Sequence, residues 1–375
     1  MKKKLLITFF VIIILILGNQ LKIPGIIETQ VSNNQSWMLG FGSGFTWFTL
    51  GISPYIFANI ATAILTSGIS PFFSNLKKKH GDDHLFLFLF RTVIALVFAF
   101  ILGNEFKNLA LESRTYTITS TETKVIGCLV LGTFISILLS RLIDKKGIGR
   151  GTSLILLFTI TNSTIKNFIS YLIDAGLNVS SLINFSVCLI ILIVFIILML
   201  LYCHLSKEIA IDDENADIKE DKSVITIPYN SAGLTPIFAT TTILTFVAKV
   251  VEFNTTVYTI LFYILFTVLM FIISLKSISP NKRAKSMMVK GLMIKGIVPG
   301  KDTEKFLRKQ VVYTAFKSIV FLICFEGVLS FVKNYFTPLS NISMPTLLLL
   351  GMCLYQIIVS IKTLMLENKE IELLY

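Results

Sequence analysis

The sequence predicts an all-α, polytopic membrane protein of about ten transmembrane helices, in two five-helix halves of opposite topology. Three observations carry that expectation. Hydrophobic residues make up 54% of the 375 residues and charged residues only 15%, where an ordinary soluble domain is about a quarter charged. Mean hydropathy is correspondingly high, at +0.78. Apolar runs long enough to cross a hydrocarbon core of about 30 Å recur along the whole chain, and the polar stretches between them are too short for a separate soluble domain.

In chain order the spans fall at roughly 4–19, 45–67, 87–104, 122–143, 151–172, 182–204, 233–251, 257–276, 312–332 and 345–366. The first has a basic head and a short apolar core, but Gly-Asn-Gln follows Leu17 where a cleaved signal would carry a small-x-small site, so an uncleaved helix is expected. Basic residues set the orientation. With Lys2–Lys4 inside, the inner loops collect Lys77–Lys79, then Arg141, Lys145, Lys146 and Arg150, and then the Lys- and Arg-rich 276–309 segment. Both termini are then cytoplasmic, and the net charge of +12 is mostly this asymmetry rather than a sign of nucleic acid. Five spans precede the sixth, an odd number, so the halves 1–175 and 176–375 would run in opposite directions, as inverted repeats do.

Four spans carry polar residues at helical spacing. The second has Ile52, Ile56, Asn59, Ala63 and Thr66; the fifth has Thr152, Leu156, Thr159, Ser163, Lys166 and Ser170. The seventh has Thr235, Phe238, Thr242, Thr245 and Lys249, and the tenth has Thr346, Leu349, Cys353, Gln356 and Ser360. Steps of three and four residues put each set on one face. Each face is polar or small apart from one or two bulky apolar members. Turned together, they would line two wet funnels meeting at an apolar neck, because polar groups at membrane depth face a bundle interior or water. The alternative is that the Ser and Thr residues merely bond neighbouring helices. Pro54 and Asn59 stand out in the second span, where proline removes a backbone donor and an amide meets lipid.

Four stretches, LGISPYI (50–56), GIGRGTSLI (147–155), NSAGLTPIFA (230–239) and GIVPGKDTEKFL (296–307), occur in the order and span positions of the SecY family of protein-conducting channels. The resemblance covers essentially the full chain. It implies an hourglass pore whose neck is an aliphatic ring, carried here by Ile52, Ile56, Leu156, Phe238 and Leu349, with Thr152 at a further position. It implies a plug over 36–49, with Gly40, Gly42, Gly44 and Trp47; the other reading of that stretch is an outer loop touching the membrane interface through its aromatics. It also implies a lateral gate between the second and seventh helices, with Pro54, Asn59, Thr241 and Thr242. Cytoplasmic loops at 205–230 and 277–311 would bind a motor, the second through Lys290, Lys295, Val298, Pro299, Gly300 and Lys301.

The chain departs from the family's pattern in three places. Val298 stands where the family carries an arginine before Pro-Gly, and Ser343-Met344-Pro345-Thr346 replaces Gly-Gly-Thr-Ser. The loop after the sixth span, usually basic, is acidic: Glu208, Asp212, Asp213, Glu214, Asp217, Glu220 and Asp221 stand against Lys207, Lys219 and Lys222. Such changes are similar to those of an accessory SecY of Gram-positive bacteria, which exports particular surface glycoproteins; a general housekeeping SecY is the alternative. The resemblance implies a bacterial cytoplasmic membrane, a SecA-like motor ATPase, a SecE-like clamp subunit, other accessory Sec proteins and unfolded preproteins as partners.

Enzymatic signatures are missing from the sequence. Pro299-Gly-Lys-Asp-Thr lacks the glycine spacing of a phosphate loop, and no H-E-x-x-H or G-x-S-x-G occurs. No cofactor is expected. The five cysteines and three histidines have no metal-ligand spacing. Glu326, with no second acid beside it, reads as a solvated helix end. A small-molecule secondary transporter would need a compact charged site, and uncharged Thr/Ser stripes around an aliphatic neck favour a passive protein channel.

Overall fold

The computed structural model describes residues 2–28, 45–64, 85–112, 116–118, 122–176, 179–213, 224–248, 255–289, 291–336, 339 and 342–373. Backbone contacts divide the chain into two units, one of Met1–Ile193 with Phe336–Tyr375 and the other Val194–Tyr335. Among the described residues, seven helices are long and apolar enough to cross a membrane.

The first unit contains α1 (Lys2–Gln20), α2 (Ser53–Ile64), α3 (Leu85–Glu112), α4 (Glu122–Lys146), α5 (Gly151–Ala175), the first part of α6 (Val179–His204) and the last helix, α11 (Met344–Leu373). Short strands β1 (Ile26–Glu28) and β2 (Tyr116–Ile118) pair antiparallel, Ile27 opposite Thr117. α3 packs against α2 and α4, and α5 against α4 and α11. Ala58 on α2 and Ala95 and Ala99 on α3 are fully buried, small residues of the kind that let helices approach closely without a hydrophobic drive from lipid. α5, although 25 residues long, is not among the seven apolar spans, because its Thr, Ser, Asn and Lys residues dilute it.

The sequence predicts one helix from 45 onward; the structure starts α2 at Ser53. Residues 45–52 instead form a buried, hydrogen-bonded turn. The Trp47 N–H donates to the Leu21 carbonyl at 3.2 Å, the Ile23 N–H donates to the Phe45 carbonyl at 3.1 Å, and the Thr46 N–H donates to the Thr49 hydroxyl at 2.7 Å. Pro54 therefore occupies the first turn of its helix, where a missing N–H leaves no bond unmade. The turn fits because glycines receive it. A Cβ on Gly132 would lie 1.7 Å from the Trp47 carbonyl oxygen, and one on Gly18 would lie 1.8 Å from the Phe48 ring.

The second unit holds the rest of α6, β3 (Ser206–Asp213), β4 (Val224–Pro228), α7 (Thr235–Ala248), α8 (Thr255–Ile278), α9 (Pro280–Val289), β5 (Leu292–Ile294) and α10 (Lys301–Tyr335). The strands form a three-stranded antiparallel sheet in the order β4-β3-β5. Ile209 pairs with Ile225, and Ile211 with Ile294. In the stretch expected as a plain loop at 205–230, most of the described residues are thus in sheet. Ile209, Ile211 and Ile227 pack with Ile278, Met287, Ile294, Leu307 and Val311 in one apolar cluster. α10 has 35 residues. At 1.5 Å per residue it is about 52 Å long, roughly 20 Å more than a hydrocarbon core needs. Its first turns, which carry Leu307 and Val311, are the part that supports the sheet.

Candidate functional site

α2, α5 and α11 of the first unit present the neck residues expected from the sequence. Ile52, Leu156 and Leu349 are fully buried and Ile56 is half-buried. Ile52 immediately precedes α2, and its carbonyl accepts the N–H groups of Tyr55 and Ile56 at 3.0 and 3.2 Å, which fixes where the helix begins. α5 and α11 pack together, joined by the Ser153 hydroxyl donating to Gln356. Ser360, a turn beyond Gln356, donates to the Gln356 carbonyl at 2.8 Å and faces Gly149. Each apolar neck residue on these two helices is therefore flanked along its face by half-buried polar groups, Thr152 beside Leu156 and Thr346 and Gln356 around Leu349.

In the second unit Phe238 is fully buried near the start of α7. The three threonines just beyond it satisfy themselves on their own helix. Thr240 donates to the Pro236 carbonyl at 2.7 Å, Thr241 to the carbonyls of Ile237 and Phe238 at 3.1 and 3.0 Å, and Thr242 to that of Phe238 at 2.6 Å. On α5, Thr159 and Thr164 do the same, each at 2.9 Å. Thr159 and Thr242 are the stripe members among these, and each directs its hydroxyl proton to its own helix. Of the other residues expected at a gate, Pro54 is buried and Asn59 half-buried.

Gly40, Gly42 and Gly44 lie outside the described residues. Trp47, given to the same segment, belongs to the turn held against α1 and α4. Lys290 also lies outside the described residues. Its neighbours form a tight turn after β5: the Ile297 N–H donates to the Ile294 carbonyl at 2.9 Å, and the Thr303 hydroxyl to the Val298 carbonyl at 3.0 Å. Gly296 and Gly300 have φ of +78° and +112°, a region that disfavours any side chain. The turn displays Val298, 69% exposed, between the exposed Lys295 and Lys301. At its own position the aliphatic Val298 side chain offers no donor to a carboxylate.

Sequence reasoning missed three features. The sheet was signalled by alternation, Ile209 and Ile211 on one strand and Ile225 and Ile227 on the other standing among polar residues. The buried Lys107, whose ammonium meets Glu122 at 2.6 Å, joins α3 to α4 and reads in sequence only as a scattered cation. Glu326 is not a solvated helix end: the Tyr263 phenol hydrogen-bonds its carboxylate, and Lys333 lies 4.0 Å away. Among the described residues no group of three or more His, Cys, Asp or Glu could hold a metal ion.

Comparison with known proteins gives one answer. The family model described as SecY matches residues 46–358. A protein translocase subunit SecY of Diacronema lutheri is 26% identical over 355 residues, covering 84% of this chain and 83% of its own. Those of Mycoplasmoides gallisepticum and Streptococcus gordonii are 25% and 26% identical, covering 89% and 82% of this chain and 76% and 80% of their own. Among solved structures, a protein-conducting channel shares the fold with a TM-score of 0.67 at 16% identity, over 98% of this chain and 92% of that one. Sec61 in a canine ribosome–channel complex has a TM-score of 0.60 at 17% identity over the same shares. The family match spans the turn at 46–52, the α5 and α7 faces and the α11 residues around Leu349. The chain belongs to the SecY family of protein-translocation channels.

Proposed function

We propose that this chain is the central channel subunit of a bacterial Sec translocase, moving unfolded preproteins across the cytoplasmic membrane with energy from an external SecA-like motor ATPase. Its two halves, 1–175 and 176–375, surround the pore, a SecE-like subunit clamps them, and both termini are cytoplasmic. The observation that supports this most is the burial of Ile52, Leu156, Phe238 and Leu349 on helix faces that are otherwise polar or small. Such residues make a neck that water does not wet and a chain can part. The plug is carried by 36–49, anchored at its end, where 45–49 are bonded to the segment after α1. Pro54, Asn59, Thr241 and Thr242 edge the lateral gate.

The finer reading is a specialised accessory channel for particular surface glycoproteins. Val298 at the tip of the 296–300 turn and the acidic character of the 208–221 stretch support it, because both alter the surface a motor would meet. The test is reconstitution: the chain, a SecE-like subunit and either the general or a paralogous SecA-like motor in proteoliposomes, scored by ATP-dependent protease protection of an unfolded preprotein. Protection with the paralogous motor alone supports the accessory reading, and equal protection with both supports a housekeeping channel. No protection with either, in vesicles where the chain is folded and both motors hydrolyse ATP, would remove the channel proposal.

A further inference from the structure

The sheet of the second unit ends at β4, which pairs with β3 on one side and with no other strand among the described residues. Its hydrogen-bond phase fixes what the other side offers. The Tyr229 N–H donates to the Leu205 carbonyl at 3.0 Å, so these two residues face each other as a bonded pair. In an antiparallel ladder bonded pairs recur at every second residue, which makes Ile227 with Lys207 and Ile225 with Ile209 the next two. Val224, Thr226 and Pro228 therefore turn their backbone groups away from β3. They present three carbonyls and two N–H groups, since proline has none. Burial agrees with this phase: Ile227 is fully buried in the cluster under the sheet, whereas Val224 and Thr226 are exposed. Natural edge strands are guarded by lysine, inward charges, bulges or proline. In Val-Ile-Thr-Ile-Pro the only guard is Pro228, at the last position, where it spares both donors. An edge of this kind is a template for an added strand, bonded through its main chain.

Charge selects the strand. Exposed Glu208 stands opposite Thr226 on β3 and shares its face of the sheet. A residue added opposite Thr226 on the free side would lie two strand spacings from Glu208, about 10 Å. The short Thr226 side chain leaves that gap open, and a lysine or arginine together with the glutamate spans it. Beyond Val224 the cross-strand neighbour is Ala210, so the added position there suits an apolar side chain. The edge thus fits an extended segment in which a basic residue stands near an apolar one. A secretory signal begins in this way, with a positively charged region ahead of its apolar core. We propose that β4 takes up the basic opening segment of an unfolded client as an added strand. The proposal rests on the channel reading, which brings an extended chain to this side of the membrane. β4 ends at Pro228 and α7, with Phe238, begins at Thr235, so the segment is held close in sequence to a helix of the proposed neck. Few bonds and one exposed charge make the contact weak, as a chain that must move on requires.

The test uses the full chain in proteoliposomes with its SecE-like subunit and motor, with photoreactive benzoylphenylalanine in place of Val224. The probe is a radiolabelled preprotein whose opening segment is intact or has its lysines replaced by glutamine. The intact preprotein should crosslink, and the neutral one about fivefold less. Glu208→Lys should lower the yield with the intact preprotein by a similar factor, and by less at high salt. Thr226→Pro deletes an outward N–H and no bond to β3, so the sheet should remain and the yield should fall about tenfold. Glu208 is exposed, so Glu208→Lys carries the test if Thr226→Pro does not fold. An undiminished yield in either folded variant, or crosslinks to the motor or to a second copy of the chain but not to the preprotein, overturns the proposal. ATP-dependent protease protection in the same vesicles separates the two readings. Protection without the crosslink removes the β4 site and keeps the channel, whereas a crosslink without protection keeps the edge as a site for basic extended chains and removes the channel.

Discussion

Gly132 and Gly127 sit five residues apart on α4 and differ entirely in what surrounds them. A Cβ on Gly132 would meet the Trp47 carbonyl carbon and oxygen at 2.6 and 1.7 Å, whereas one on Gly127 meets nothing within 4 Å. Backbone cannot swing aside as a side chain can, so Gly132→Ala should destabilise the protein by about 1–3 kcal/mol. Gly127→Ala should be neutral or stabilising by about 0.5–1 kcal/mol through helix propensity. Thermal unfolding of the two variants side by side checks this, and equal shifts would dismiss the glycine notch. The proposed neck supports a second expectation at this scale. Ile56→Asn with Leu349→Asn places two amides where ions must shed water, so resting conductance in planar bilayers should rise. A folded double variant with unchanged conductance would remove both residues from the neck. Neither result could have been read from spacing alone. The sequence displays Gly127 and Gly132 as equals, because what separates them is a turn 85 residues upstream. The residues proposed for the aliphatic ring show in the sequence only as interruptions in polar stripes, and their assignment to a ring rests on the resemblance.

At the scale of elements, a helix among the described residues meets each of the ten expected spans, although α5 falls outside the apolar ones; the bounds differ by seven or more residues at the start of α2, the ends of α3 and α11 and the start of α10. The second span differs because hydropathy does not distinguish a buried turn from a helix, and residues 45–52 are as apolar as α2 itself. Pro54 was the available signal: a proline is most at home in a helix's first turn, which would have started the helix at Ser53. The sheet was overlooked for another reason. β3 and β4 alternate cleanly, but dense charge along the stretch suggested a solvated loop. Their stability rests on the apolar cluster beneath them, and Ile227 is fully buried in it. Ile227→Ala should therefore cost about 2–5 kcal/mol locally. The expected readout is faster proteolysis at 214–223, with membrane insertion and the cleavage pattern of the first unit unchanged. Cleavage at the wild-type rate would mean that the sheet does not depend on this cluster.

At the scale of the whole molecule, the positive charge is concentrated on a few segments, and its distribution bears on the choice of motor. The 276–309 segment is rich in Lys and Arg, and the 208–221 stretch is rich in Asp and Glu. The sheet joins them, since β3, which ends in Asp212 and Asp213, pairs directly with β5, two residues from Lys290 and one from Lys295. A surface with opposite signs on adjoining strands orients a complementary partner and repels one matched to uniform positive charge. Between the two, the turn tip presents Val298, and an aliphatic side chain cannot replace the planar, bidentate donor that an arginine supplies. The general motor should accordingly bind weakly and a paralogous motor better. Charge reversal at Lys295 and Lys301 should weaken binding of the paralogous motor at low salt, and less so at high salt, because screening already removes most of an exposed charge's contribution. Val298→Arg, together with Asp212→Lys and Asp213→Lys, should raise affinity for the general motor. One restored charge-assisted, bidentate contact is worth about 1.5–3 kcal/mol, an order of magnitude or more in affinity. The measurement is equilibrium binding of each motor to proteoliposomes across a salt series. Equal wild-type affinity for both motors, unmoved by either set of substitutions, would leave the basic segment as a membrane-facing charge belt and the acidic strand without a part in motor choice.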